Sequence, residues 1–485
     1  MGAPLTAAAP DLHPGLVALR DGRFEEARAC FARLSQTAPQ SPEGPFFEAF
    51  EIWWRLIDRP EDATLRLSME KRLAEAGRRA RLLQASQDPD ERQRGLVFFG
   101  VSQLVDAQSK ASRGSHFAAA SLVRQGHRAL TAAVAARPGD SDALFAMGTY
   151  NYYADHLPTL VKGLRLLLFI PGGNSARGIA QLEQAGESSE LFGAESLVLL
   201  AHIFSGAYEE DYARALSYLD KAAGRSAGSP LLSLARADLL YKMGRLREAS
   251  DVTAAALGTV AKRPAYPREL QRALAYRAAA SRQKLRDPAG ALASIDTQLQ
   301  TDPPEAGPEM KRWLMLGAEA ARDAGRPEMI DVWLSRLSVP ETLALQVRKK
   351  LGPPAADPIA AARAEALTSA AADRVDEARA RLERMLDAHP GDPRLRYDIG
   401  RLLQQQGRLE EAQPYLQAVV DTARGSSTAD LAGWAMMRLG WALDQQGRRA
   451  EAAAMYRRAA EMKQFDFRAA ALDRAAHPAA APPEG

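Results

Sequence analysis

Gly224-Arg225-Ser226-Ala227-Gly228 has the G-x-S-x-G spacing of a nucleophile elbow, in which a serine is thrust out over an oxyanion hole. That chemistry needs a strand before the serine and a helix after it. Here an amphipathic helical pattern over 212–223 precedes it and Pro230 follows, so the motif reads as a turn between helices. Ser68 with Lys71, and Ser281 with Lys284, match S-x-x-K without any companion motif. No Gly-Lys dipeptide and no G-x-G-x-x-G occur, which removes the usual phosphate cradles. The seven histidines (13, 116, 127, 156, 202, 389 and 477) never stand at i, i+4, and Cys30 is the only cysteine. A histidine or cysteine metal centre and an internal disulfide are therefore not expected. Asp155-His156 is the one acid–base pair in the irregular stretch 150–175. Pro171-Gly-Gly-Asn-Ser175 reads as a turn with Asn174 or Ser175 as helix cap rather than an anion site. The expectation is a non-enzyme with no catalytic residue, cofactor or metal.

The elements that would position any site are helical. Of 485 residues 95 are Ala, with 46% apolar and 25% charged, a composition that favours helices over sheets and over wholesale disorder. The 63 basic and 60 acidic residues leave +3, so no nucleic-acid partner is expected. No apolar run reaches the roughly 18 residues of a membrane span. The stretch 157–170 comes nearest but contains Pro158, Lys162 and Arg165. The first ten residues lack a basic region followed by an apolar one, so the chain as written reads as cytoplasmic. A periplasmic or cell-envelope site is the alternative if an export signal preceded Met1.

A repeat organises the chain. In 22–39, Gly22 ends one helix, Phe24 opens the next, Ala27, Phe31 and Leu34 form a stripe, and Pro39 closes the unit. Gly440, Leu443, Gly447, Ala452, Tyr456 and Ala459 fall at equivalent offsets, as do Gly400, Leu403, Gly407, Leu409, Ala412 and Leu416. Trp313-Leu-Met-Leu316-Gly317 matches a W-x2-L-G opening. These residues resemble the tetratricopeptide repeat, a 34-residue helix–turn–helix unit. Taking Ala49, Gly100, Gly148, Ala201, Ala237, Ala279, Gly317, Ala366, Gly400 and Gly440 as the small eighth positions gives spacings from 34 to 53. The units are thus longer than the family's, and the expected fold is an all-α, right-handed superhelical solenoid of about eleven hairpins, or about 22 helices.

Three places interrupt the repeat. Residues 150–175 form an insertion, faintly similar to bacterial repeat proteins with a Tyr-rich helix and a Pro-Gly-Gly turn, a likeness that brings no activity with it. Residues 352–358 are Pro-rich and read as a linker between a 1–351 solenoid and a 359–476 array with a capping helix. His477–Gly485, rich in Ala and Pro, reads as a disordered tail.

What the resemblance implies about function is protein binding, on the concave face lined by each unit's first helix. Its second, fifth, ninth and twelfth positions give Arg394, Tyr397, Arg401 and Gln404 in one unit, and Trp434, Met437 and Trp441 in the next. Trp434 and Trp441 are two helical turns apart and share a face, as do Arg394 and Arg401. Trp, Tyr and Arg are the usual anchors of protein recognition. The equal alternative has the indoles filling the superhelix or lying beneath the capping helix. Arg makes up 52 of the 63 basic residues, a bias that a GC-rich gene explains better than ligand capture does. The expected function is a non-enzymatic adaptor holding a protein or peptide segment. The alternatives are an enzyme or a peripheral membrane protein using 150–175.

Overall fold

The computed structural model of the chain describes residues 11–58, 62–156, 171–226, 228–263, 265–351, 358–371, 374–422, 429–462, 465–479 and 481–485. Among them are 24 α-helices and no strand, so the fold is an all-α helical repeat. About 22 helices were expected. In chain order the 24 make eleven consecutive pairs plus two singles, Glu341–Leu351 and the closing helix Arg468–Ala476. Glu341–Leu351 buries Val347 and Ala344 against the Pro308–Asp323 helix, an addition no 34-residue grammar anticipates.

The turn inside a pair has a repeated chemistry. Gly22, Gly244, Gly325, Gly407 and Gly447 all sit at φ between 68 and 82, the left-handed region that only glycine enters freely. An arginine follows each one, and its N–H reaches back five residues: Arg408 to the Leu403 carbonyl and Arg448 to that of Leu443, both at 2.9 Å. Two otherwise orphaned helix-end groups are thereby satisfied. The same arginines then turn outward to a glutamate in the first turn of the second helix, as Arg245–Glu248, Arg408–Glu411 and Arg448–Glu451, each at 2.6 Å. Those glutamates also sit well against the positive end of the helix dipole.

Small residues set how closely the paired helices approach. A Cβ built on Gly440 would lie 2.6 Å from a ring carbon of Tyr456, and one on Gly400 would lie 2.8 Å from Leu416. Large residues of the second helices fill those notches, and the stripe Ala452, Tyr456 and Ala459 is wholly buried.

Two compact units divide the chain. The first comprises Met1–Glu209, Ser217–Leu232 and Arg263–Pro267. At its heart Phe46 and Phe47 pack edge-on or stacked against Phe98 and Phe192, and Phe145 stacks on Phe192 at 4.7 Å. The second comprises Glu210–Leu216, Ser233–Lys262 and Arg268–Gly485, and one of its cores runs through the 366–471 helices.

Candidate functional site

The seven residues singled out from the sequence lie on the Pro393–Gln405 and Ala429–Gln445 helices of the second unit. Asp392 caps the former, accepting the Arg394 N–H at 2.8 Å, and Pro393 occupies its first turn, where a missing N–H costs nothing. Arg394 spends its guanidinium on that same Asp392 carboxylate at 2.6 Å. Tyr397, Met437 and Trp434 are buried to within 1% exposure, while Arg401 and Trp441 keep 8% each. Trp434 meets Phe465 edge-on at 5.6 Å and leans on Phe467 at 4.5 Å, just before the closing helix.

Arg438, which the sequence reading passed over, joins the set. It sits four residues after Trp434, hence on the same face, and its spacing held that signal. Gln404 buttresses it, donating to the Arg438 carbonyl at 3.0 Å and accepting from its Nη1 at 3.2 Å. Its Nε also donates to the Tyr397 hydroxyl at 2.9 Å.

What Arg438 and Tyr397 hold is a piece of the chain itself. Residues 481–485, read from composition as a loose tail, lie extended against this surface with Pro483 and Gly485 buried. Every second carbonyl from 479 onward accepts a hydrogen bond from a side chain. Ala479 is held by Gln445 at 3.4 Å, Ala481 by Arg474 at 3.0 Å and Pro483 by Arg438 at 2.7 Å. The Gly485 oxygen accepts from Arg438 Nη2 at 2.9 Å and from the Tyr397 hydroxyl. Glu484 accepts the Arg247 backbone N–H at 2.7 Å. A Cβ built on Gly485 would fall well inside contact distance of Trp434 Cε2 and Cζ2.

Charge is concentrated behind the tail. Arg363 pairs with Asp398 at 2.6 Å with both side chains buried, and the Arg286 guanidinium lies 4.9 Å from the Tyr397 ring centre. Lys284 bonds Asp430 at 2.8 Å and Glu319 at 3.4 Å. Among the described residues no hydrogen bond or ion pair engages Arg401, and its buried Nε is unsatisfied. Burial holds its pKa down to about 10; Arg438 and Arg286 add like charge against the pull of Asp398. The group stays charged near neutrality. The Trp441 Nε1–H is likewise buried and unbonded.

Residues 393–464, which contain all seven candidates and Arg438, match the family model described as tetratricopeptide repeat. Residues 393–464 carry tetratricopeptide repeats. Solved structures similar to the chain include a tetratricopeptide repeat protein from Parabacteroides merdae, 16% identical over 57% of this chain and 98% of its own, with a TM-score of 0.24. Yeast Tom70 is 14% identical over 92% and 97%, with a TM-score of 0.31. The human IFIT1 dimer with m7Gppp-AAAA is 13% identical over 95% and 84%, with a TM-score of 0.26. No curated protein matches the chain.

The other candidate region belongs to the first unit. Residues 157–170 lie outside the described residues, and with them the apolar run 164–170. On either side, the Ser141–Asp155 and Ser175–Ser188 helices pack together as a helical pair. Asn174 is the helix cap, accepting from the Arg177 N–H at 2.8 Å, as the turn reading requires. Asp155 accepts the Ser175 N–H at 2.9 Å, and His156 lies between Tyr152 and Tyr208 at 4.4 and 4.3 Å. Ser226 ends the Tyr212–Arg225 helix, its N–H bonded to the Ala222 carbonyl at 3.2 Å, with no strand before it. Among the described residues no group of His, Cys, Asp and Glu is arranged to hold a metal, and no helix is long and apolar enough to cross a membrane.

Proposed function

We propose that the chain is a non-enzymatic scaffold that binds an extended protein segment on the surface of Tyr397, Arg401, Trp434, Arg438 and Trp441. One observation carries this reading: the surface already holds an extended chain, 481–485, by its main-chain oxygens. Side chains that satisfy a strand's carbonyls and an indole that takes its flat face are what peptide capture requires. Arg401 supplies the second element, a buried guanidinium that no carboxylate among the described residues hydrogen-bonds, which suits a partner segment bearing a carboxylate. A protein partner accordingly fits better than a nucleic acid, because the guanidinium groups are buried and few rather than spread over an open face.

The acid–base pair of the insertion favours no chemistry. The Asp155 carboxylate accepts the Ser175 N–H at a helix start, and His156 stands in an aromatic stack.

A photo-crosslinking amino acid at position 441, in the cells of origin, tests the scaffold reading. It should trap a partner chain, while the same group at exposed Gln413 on the neighbouring second helix should not. Arg401→Ala should abolish the adduct at 441. Equal trapping from both positions, or none from 441, would count against the surface.

A further inference from the structure

Resting on that reading, we infer that residues 481–485, together with Ala479, are a ligand held in cis. They close the peptide site, and a partner must displace them with a segment of the same chemistry: extended, with glycine where Gly485 meets Trp434.

Three features of the contact point this way. The groove offers donors alone to the strand's backbone, through Gln445, Arg474, Arg438 and Tyr397, and they fall on alternate carbonyls at 479, 481, 483 and 485. Alternation is the period of an extended chain, so the spacing of the donors is a template for any strand and is blind to most side chains. Pro482 and Pro483 suit such a groove, since each lacks an N–H to satisfy and is stiffened towards the extended state before it binds. Gly485 supplies the selectivity. Its α-carbon lies so close to the indole that even an alanine methyl has no room, and Trp434 cannot retreat because Phe465 and Phe467 hold it.

The tail is also an incomplete ligand. It satisfies Arg438 and Tyr397 yet leaves Arg401 and the Trp441 N–H without partners. A partner segment carrying a carboxylate in reach of Arg401 gains what the tail lacks. That difference permits exchange, because the tail competes from an effective concentration of about a millimolar, as short tethers do. A free peptide with the tail's own sequence has no such advantage. It should bind the closed site at least tenfold more weakly than the open one.

The test uses the full chain and a fluorescein-labelled peptide, Ala-Ala-Ala-Pro-Pro-Glu-Gly, titrated by anisotropy. Affinity should rise at least tenfold in a chain lacking 481–485, and likewise in Gly485→Ala, which differs by one methyl group. In the shortened chain, Tyr397→Phe should weaken binding and Arg438→Gln should abolish it; unchanged helical circular dichroism checks that each variant is folded. Equal affinity for intact and shortened chains would overturn the inference. So would binding indifferent to both Tyr397→Phe and Arg438→Gln, or no binding to the shortened chain. A partner trapped at position 441 would survive each of those results, so failure of the cis ligand is distinguishable from failure of the scaffold.

Discussion

Trp434→Ala separates an indole that builds the array from one that only waits for a ligand. The side chain is 1% exposed and is gripped by Phe465 and Phe467. An aromatic of this size buries about 200 Å², worth about 5 kcal/mol at 25 cal/mol per Å². Alanine retains a little of that and relaxation recovers more, so a loss of about 4 kcal/mol is expected, within the usual range for such truncations. For a unit of this size each kcal/mol moves the midpoint by about 2–4 °C, giving a fall of about 8–16 °C. Differential scanning calorimetry on the full chain reads it directly. Trp441→Ala is the internal control: its indole keeps 8% exposure and an unbonded N–H, so its removal should cost clearly less. A loss under about 1 kcal/mol for Trp434→Ala, or a larger loss for Trp441→Ala, would refute the argument that burial at 434 is structural.

Three further outcomes follow from the geometry. Gly440→Val places a branched side chain against the Tyr456 ring and should cost about 1–3 kcal/mol in a urea melt, whereas a neutral result would mean the helices can spread. Arg363→Met leaves buried Asp398 without its 2.6 Å partner; because Arg286 and Arg401 stand nearby, the loss should sit at the low end, about 3 kcal/mol, of what broken buried pairs cost. Asp142 tests pH dependence in the first unit. Burial, outweighing the hydrogen bond from Ser189, raises its pKa to about 6. Its folded form therefore binds a proton more tightly than the unfolded chain, and its contribution is full below about pH 4 and lost as pH rises through 6. Asp142→Asn should flatten that part of the stability–pH curve, and an unchanged slope between pH 4 and 6 would count against the assignment.

The repeat was legible because its grammar is written in residues with few alternatives. Glycine at the turns, small residues at the helix crossing and an apolar stripe at helical spacing admit little but paired helices. The extra Glu341–Leu351 helix was not legible, since its eleven residues carry no turn glycine and no notch. The candidate surface was half legible. Family positions led to Tyr397, Arg401, Gln404 and Trp434, but the rule steps over Arg438, which only the four-residue spacing from Trp434 would have recovered. The tail was illegible for a physical reason. Its composition resembles a disordered segment, and the groove grips its backbone, which every sequence has.

Helical arrays whose members touch only their neighbours come apart from the ends, one hairpin at a time. The ion pairs of the second unit argue for different behaviour. Lys284 reaches Asp430 across 146 positions of chain, and the Arg286 guanidinium faces the Tyr397 ring. Peeling away the Ala429–Gln445 helix would strip a largely buried ammonium of its nearest carboxylate before any other hairpin had loosened. The array is therefore cross-tied, and the stretch between these residues should melt as a single cooperative block, with a steep transition where a simple stack would show a gradual one.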